Sequence, residues 1–193
     1  MPGTYDWVEL LRRGKSVYTF GELLRLSGLS PPSLRRALHR LRRRGLVLKL
    51  GRGFYANDLS SPSLEEVAGF LYPPSYISSE YALFLHGVLD QAPYEVTCVT
   101  LNKTKMFRTD LGEISYFHIK PELFFGYEVQ DGLILAEPEK ALLDFVYLAR
   151  KRGLEPTLDE LNWEHVRVDR LRFLLRFYPK AVRSNIERFG QVF

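Results

Sequence analysis

Apolar residues recur along this chain first with a helical period and later with an alternating one. In residues 31–44, Leu34, Ala37, Leu38 and Leu41 fall at i, i+3, i+4 and i+7, which makes one stripe on a helix. Ser30 is placed to be its N-cap and Pro31 its first helical residue, and Gly45 can take the left-handed conformation that ends it. Upstream, Trp7, Leu10 and Leu11 share one side of a helix over residues 5–11, stopped by Gly14. Residues 16–18 are extended. Thr19-Phe20-Gly21-Glu22 reads as a capping box that opens a helix carried by Leu23, Leu24 and Leu26 to Gly28. Residues 46–50 have strand character, Gly51-Arg52-Gly53 is a turn, and Phe54-Tyr55-Ala56 returns. Short helix, glycine turn, helix and hairpin make the pattern of a winged helix-turn-helix over residues 1–56.

The polar, turn-rich residues 57–63 read as a linker to a second module over 64–193. There the pattern predicts helices over 63–71 and over 76–87, the latter capped by Ser78. Strands follow over 94–101, 105–108 and 114–119, with a turn at Asp110-Leu111-Gly112. Residues 127–129 and 133–135 flank Gln130-Asp131-Gly132, a hairpin signal. A helix is predicted over 137–149, another opens at the Thr157–Glu160 capping box, and two more span 169–178 and 180–189, separated by Pro179. The fold class is therefore α+β: an N-terminal winged helix-turn-helix followed by a mixed α/β domain with a small sheet and C-terminal helices.

Charge changes this picture from architecture to chemistry. Residues 1–56 carry 12 Lys/Arg and 3 Asp/Glu, a net +9, whereas residues 57–193 carry 15 and 20, a net −5. The helix over 31–44 has no acidic residue, so its polar face is basic throughout and wants an anion. The expected partner is double-stranded DNA. Ser33, Arg36, His39 and Arg40 are the base-edge candidates, because recognition helices read with their N-terminal half and arginine can take guanine O6 and N7 together. Arg35, Arg42, Arg43, Arg44 and Lys49 are expected to meet phosphates or to stay in water. Arg52, between two glycines at the hairpin tip, suits a minor groove or a phosphate.

Catalytic chemistry is hard to find. His86, His118 and His165 lack metal-ligand spacing, and no nucleophile elbow or phosphate-binding loop occurs. Cys98, the sole cysteine, sits in an apolar strand and reads as a buried structural thiol. Glu137 and Glu139 suit a helix N-terminus, and Lys140 pairs with Asp144 at i, i+4. No enzymatic activity, cofactor or metal is expected. No apolar run reaches the ~20 residues of a membrane span, and no leader pattern opens the chain, so the expected location is the cytoplasm.

Several short pieces also resemble a known family. They are Gly51-Arg52-Gly53-Phe54-Tyr55; Tyr76-Ile77-Ser78 with Ala82-Leu83 and His86-Gly87; Phe117-His118-Ile119-Lys120 with Phe124-Phe125-Gly126-Tyr127; and, most specific, residues 136–144 from Ala136 to Asp144. The resemblance they carry covers nearly the whole chain, which is similar to the AbiEi-type antitoxins, the regulator halves of abortive-infection toxin–antitoxin systems. The resemblance implies a winged helix that represses its own operon. It also implies a C-terminal domain that counteracts a nucleotidyltransferase-type toxin encoded alongside. Two other readings stay open from the residues alone: a winged-helix regulator whose second module senses a small molecule, and a metal-dependent nuclease.

Overall fold

The computed structural model describes residues 4–188; Phe189, expected to end the last helix, lies outside the described residues. The fold is mixed α/β, with eight α-helices and two sheets among the described residues. The chain divides into two compact units. One comprises the residues up to Leu71 together with Phe107–Ile114, and the other comprises Tyr72–Met106 and the residues from Ser115 onward.

The first unit begins with α1 (Thr4–Arg12), β1 (Val17–Thr19) and α2 (Phe20–Ser27). At its start the predicted capping box forms: Glu22 N–H donates to Thr19 Oγ1 at 3.2 Å, and Thr19 N–H donates to Glu22 Oε2 at 2.7 Å. Gly28 ends α2 at φ +63°, a left-handed turn open to glycine without strain. Then come α3 (Pro31–Arg43), β2 (Val47–Gly51) and β3 (Phe54–Asn57). Ser30 is the N-cap residue, but its hydroxyl donates to Ser33 Oγ instead of capping a backbone N–H. The three strands pair antiparallel in the order β1-β3-β2, with an irregular register between Lys49 and Gly51. Leu34, Ala37, Leu38 and Leu41 turn inward as their spacing requires, onto Trp7, Leu11, Tyr18, Leu23 and Val47.

Residues 57–63 are tied to this unit. Asn57 is buried and its Nδ2 donates to the Leu11 carbonyl at 2.8 Å, while Asp58–Ser60 forms a 3-10 turn. Ser63 and Glu66 then cap α4 (Leu64–Leu71) reciprocally, and the compact unit ends after that helix instead of at the segment read as a linker. The buried carboxamide is the reason: its hydrogen bonds exist only when residues 57–60 pack on α1.

The remaining elements are β4 (Ser75–Ile77), α5 (Ser79–Leu85), β5 (Val96–Thr100), β6 (Lys105–Arg108), β7 (Glu113–His118), β8 (Tyr127–Gln130), β9 (Leu133–Ala136), α6 (Pro138–Lys151), α7 (Val168–Leu175) and α8 (Lys180–Arg188); they lie in the second unit except for the end of β6 and the start of β7. The sheet order is β6-β7-β5-β4-β9-β8; the segment Phe107–Ile114, from the end of β6 through the turn to the start of β7, groups with the first unit.

Two segments fold differently from what their sequence pattern predicts. Tyr76 and Ile77 are not helical: they form β4, antiparallel to β5 and joined by the parallel partner β9, so tertiary pairing overrides a helix-like apolar spacing. The helix expected from Thr157 does not form. Residues 159–160 are a turn, and Leu158 and Leu161 are buried while Asn162 N–H donates to the Val88 carbonyl. Two apolar anchors so close together cannot carry a helix against such a competing backbone bond.

Candidate nucleic-acid interface

The face of α3 opposite its apolar stripe is exposed along its length. Arg35, Arg36, His39 and Arg40 line one shallow concavity on it. Ser33 is half-buried at its N-terminal end and accepts a long 3.5 Å contact from Arg36 Nη2. Arg43 is exposed on the last turn, and Arg44 is the exposed C-cap, its N–H turned back to the Arg40 carbonyl. The hairpin of β2 and β3 adds its own cations. A cleft lined by Phe20, Arg35, Lys49, Arg52, Gly53 and Tyr55 brings the helix and the hairpin together. In it the Arg35 guanidinium lies 5.5 Å from the Phe20 ring centre, which orients the side chain without neutralising it. Arg52 is exposed at the tip.

One arginine of the expected set has an acidic partner. Arg42 is held by Asp110, Nε to Oδ2 at 2.7 Å and Nη2 to Oδ1 at 2.5 Å. Burial pushes the Asp110 carboxyl up, and the Arg42 fork and the Lys49 N–H outweigh it, leaving the carboxyl below its ordinary value. Asp110 is 68 residues away in sequence and showed there only as a turn residue. Counting the whole first unit, 13 Lys/Arg face 8 Asp/Glu, so its net charge is +5, against the +9 of residues 1–56 alone. The added acids are Asp58, Glu65, Glu66, Asp110 and Glu113; of these, Asp110 reaches the last turn of α3 through Arg42.

The second unit presents interior chemistry of a different kind. Lys140 and Asp144 pair as their spacing requires, but both side chains are 0% exposed. Asp144 also accepts from Ser78 Oγ at 2.7 Å, Tyr178 OH at 2.7 Å and Tyr76 OH at 3.2 Å. Glu137 and Glu139 do more than open α6: Arg170 grips Glu137 at 2.6 and 2.8 Å, and the Arg167 backbone and guanidinium bind Glu139. His86 Nε2 lies 2.7 Å from the Ala136 carbonyl, and His118 Nδ1 lies 3.0 Å from that of Asn102. Among the described residues no three His, Cys, Asp or Glu side chains gather as a metal-ion cluster, and no helix is long and apolar enough to cross a membrane. On α7, Leu171, Leu174 and Leu175 are buried and Phe173 is 43% exposed; beyond its end Tyr178 is buried and Phe177 is 52% exposed.

Residues 8–57 match a family model described as "Transcriptional regulator, AbiEi antitoxin". The matched stretch runs from α1 to the end of β3 and so contains α3 and the hairpin; it includes the motif at 51–55 and none of the pieces beyond. No curated protein matches the chain.

Proposed function

We propose that the first unit is a winged helix-turn-helix that binds double-stranded DNA, and that the chain is a non-enzymatic transcriptional regulator and antitoxin. One observation carries the reading: an exposed face of α3 with no acidic residue of its own shares a surface with a cationic hairpin, in the stretch that matches the AbiEi regulator model. In this reading α3 lies in the major groove. Arg36 and Arg40, with Ser33 and His39, meet base edges. Arg35, Arg43, Arg44 and Lys49 meet phosphates along the groove, and Arg52 reaches a minor groove or a phosphate from the wing. Occupying its own promoter would repress the operon, in the cytoplasm and without cofactor.

The antitoxin half belongs to the second unit, acting on a nucleotidyltransferase-type toxin encoded alongside. Neutralising a protein by contact calls for apolar surface flanked by charge. Phe173 and Phe177, 5.7 Å apart at their ring centres, with Arg170 and Arg176 over the Phe173 ring, supply such a surface. The test uses two full-length variants in cells carrying a promoter reporter and the inducible neighbouring toxin gene. Arg36→Ala with Arg40→Ala abolishes repression and leaves toxin rescue intact, whereas Phe173→Ala with Phe177→Ala does the reverse. Loss of rescue on replacing the arginines, in protein that is folded and abundant, would overturn the division of labour.

A further inference from the structure

The segment Phe107–Ile114 contributes to the first unit a single acidic group that touches both halves of the DNA-binding surface. The Asp110 carboxylate takes the Arg42 fork from the end of α3, and Oδ2 also accepts the Lys49 N–H of β2 at 2.8 Å. The Asp110 N–H returns a bond to the Lys49 carbonyl at 3.0 Å, so residue 110 pairs with the strand in both directions. The segment is itself fastened. Thr109 Oγ1 accepts from the N–H groups of Leu111 and Gly112, and Arg108 pairs with Glu113 at 3.0 Å. Phe107 is buried against Gly51, where a Cβ would stand 3.1 Å from its ring and where φ is +151°.

We infer that Asp110 is a positioning residue of the DNA interface: it withdraws Arg42 from the arginines that meet phosphate and fixes the wing strand against the recognition helix. The inference rests on the DNA-binding reading above. Its physical basis is geometric. A guanidinium that donates two aligned bonds to one carboxylate has no free fork for a phosphate. Lys49 lies two residues before the Gly51-Arg52-Gly53 turn, so tying its backbone to the carboxylate that holds Arg42 fixes where Arg52 stands relative to α3. Arg42 and Arg43 are adjacent in sequence and both exposed, yet the pairing assigns them opposite roles.

The experiment measures salt-dependent binding of the full chain to two duplexes: one selected by the wild type from a random library, and one of mixed sequence. In Asp110→Asn the freed Arg42 gains a phosphate, so log K against log salt steepens by about one. Preference for the selected duplex falls several-fold, because the wing is no longer held in register. Arg42→Gln keeps the wild-type slope, whereas Arg43→Ala flattens it by about one. Combining Asp110→Asn with Arg42→Gln returns the slope to the wild-type value. If the aspartate variant proves unstable, Arg42→Gln decides alone: a slope flattened by about one means that Arg42 meets phosphate and overturns the inference. An Asp110→Asn protein with unchanged slope and preference overturns it as well. A wild type whose binding does not depend on salt overturns the DNA-binding reading itself, which separates the two failures.

Discussion

Replacing Lys140 should destabilise the second unit severely, and replacing Asp144 more severely still. Both side chains are fully enclosed, with Lys140 Nζ between the rings of Tyr76, Phe125 and Tyr178 at 5.2–5.6 Å. Lys140→Met removes the ammonium and strands the carboxylate, but three hydroxyls still donate to it. The cost belongs at the low end of the ~3–5 kcal/mol seen when a buried pair loses one partner. Asp144→Ala leaves the ammonium with the Tyr178 hydroxyl oxygen and aromatic faces, and deprives those same hydroxyls of their acceptor. Its cost belongs at the upper end or beyond, since each unsatisfied buried hydroxyl adds ~1–3 kcal/mol. Against a total stability of ~5–15 kcal/mol, the aspartate variant has little margin left. At ~4 °C per kcal/mol for a unit of this size, a loss of ~3 kcal/mol in the lysine variant should lower the melting temperature by about 12 °C. Trp163 lies in the second unit and Trp7 in the first, so a Trp7→Phe background lets urea unfolding by fluorescence report the second unit alone. A Lys140→Met protein as stable as the parent, or less stable than Asp144→Ala, would refute this account of the cluster.

Three further outcomes are expected. Thr19→Ala should cost ~0.5–2 kcal/mol, read by chemical denaturation, because the cap of α2 is lost. Hydrogen bonds from Lys15 and from the Thr19 backbone lower the Glu22 carboxyl from 4.5 to about 2, so its stabilising effect is full above pH 4.5 and is lost as the pH falls toward 2. Thermal melts across that window should show the parent losing stability that Glu22→Ala never had. Burial pushes the Cys98 thiol up, so a thiol reagent should label it only after denaturant is added, and fast labelling of native protein would contradict its placement in β5.

What the sequence made legible is what local chemistry decides. The α3 stripe, the Thr19–Glu22 box and the Gly51-Arg52-Gly53 turn each rest on residues within a few positions of one another, and each has the structure its pattern predicts. The exposed basic face was legible for the same reason: an inward stripe fixes what points outward. Long-range pairing was not legible. Tyr76 and Ile77 became β4 because β5 and β9 flank them, and the Thr157 box gave way to a bond with Val88. The Lys140–Asp144 spacing announced a pair, but its burial depends on Tyr76, Ser78 and Tyr178, which converge from separate parts of the chain. Asp110 gave no signal beyond its turn, and only the folded chain brings it to the Arg42 guanidinium.

In the proposed function the first unit binds duplex DNA through phosphate contacts made by a defined set of cations. If Arg36 and Arg40 read bases while Arg35, Arg43, Arg44, Lys49 and Arg52 meet phosphates, log K should fall with log salt with a slope of about −4 to −5. Fluorescence anisotropy of a labelled duplex, titrated with the full chain across a salt series, measures it directly. A slope in that range, reduced by about one in Arg43→Ala, is the predicted result. A slope near zero, or one that Arg43→Ala and Arg35→Ala leave unchanged, would contradict the claim.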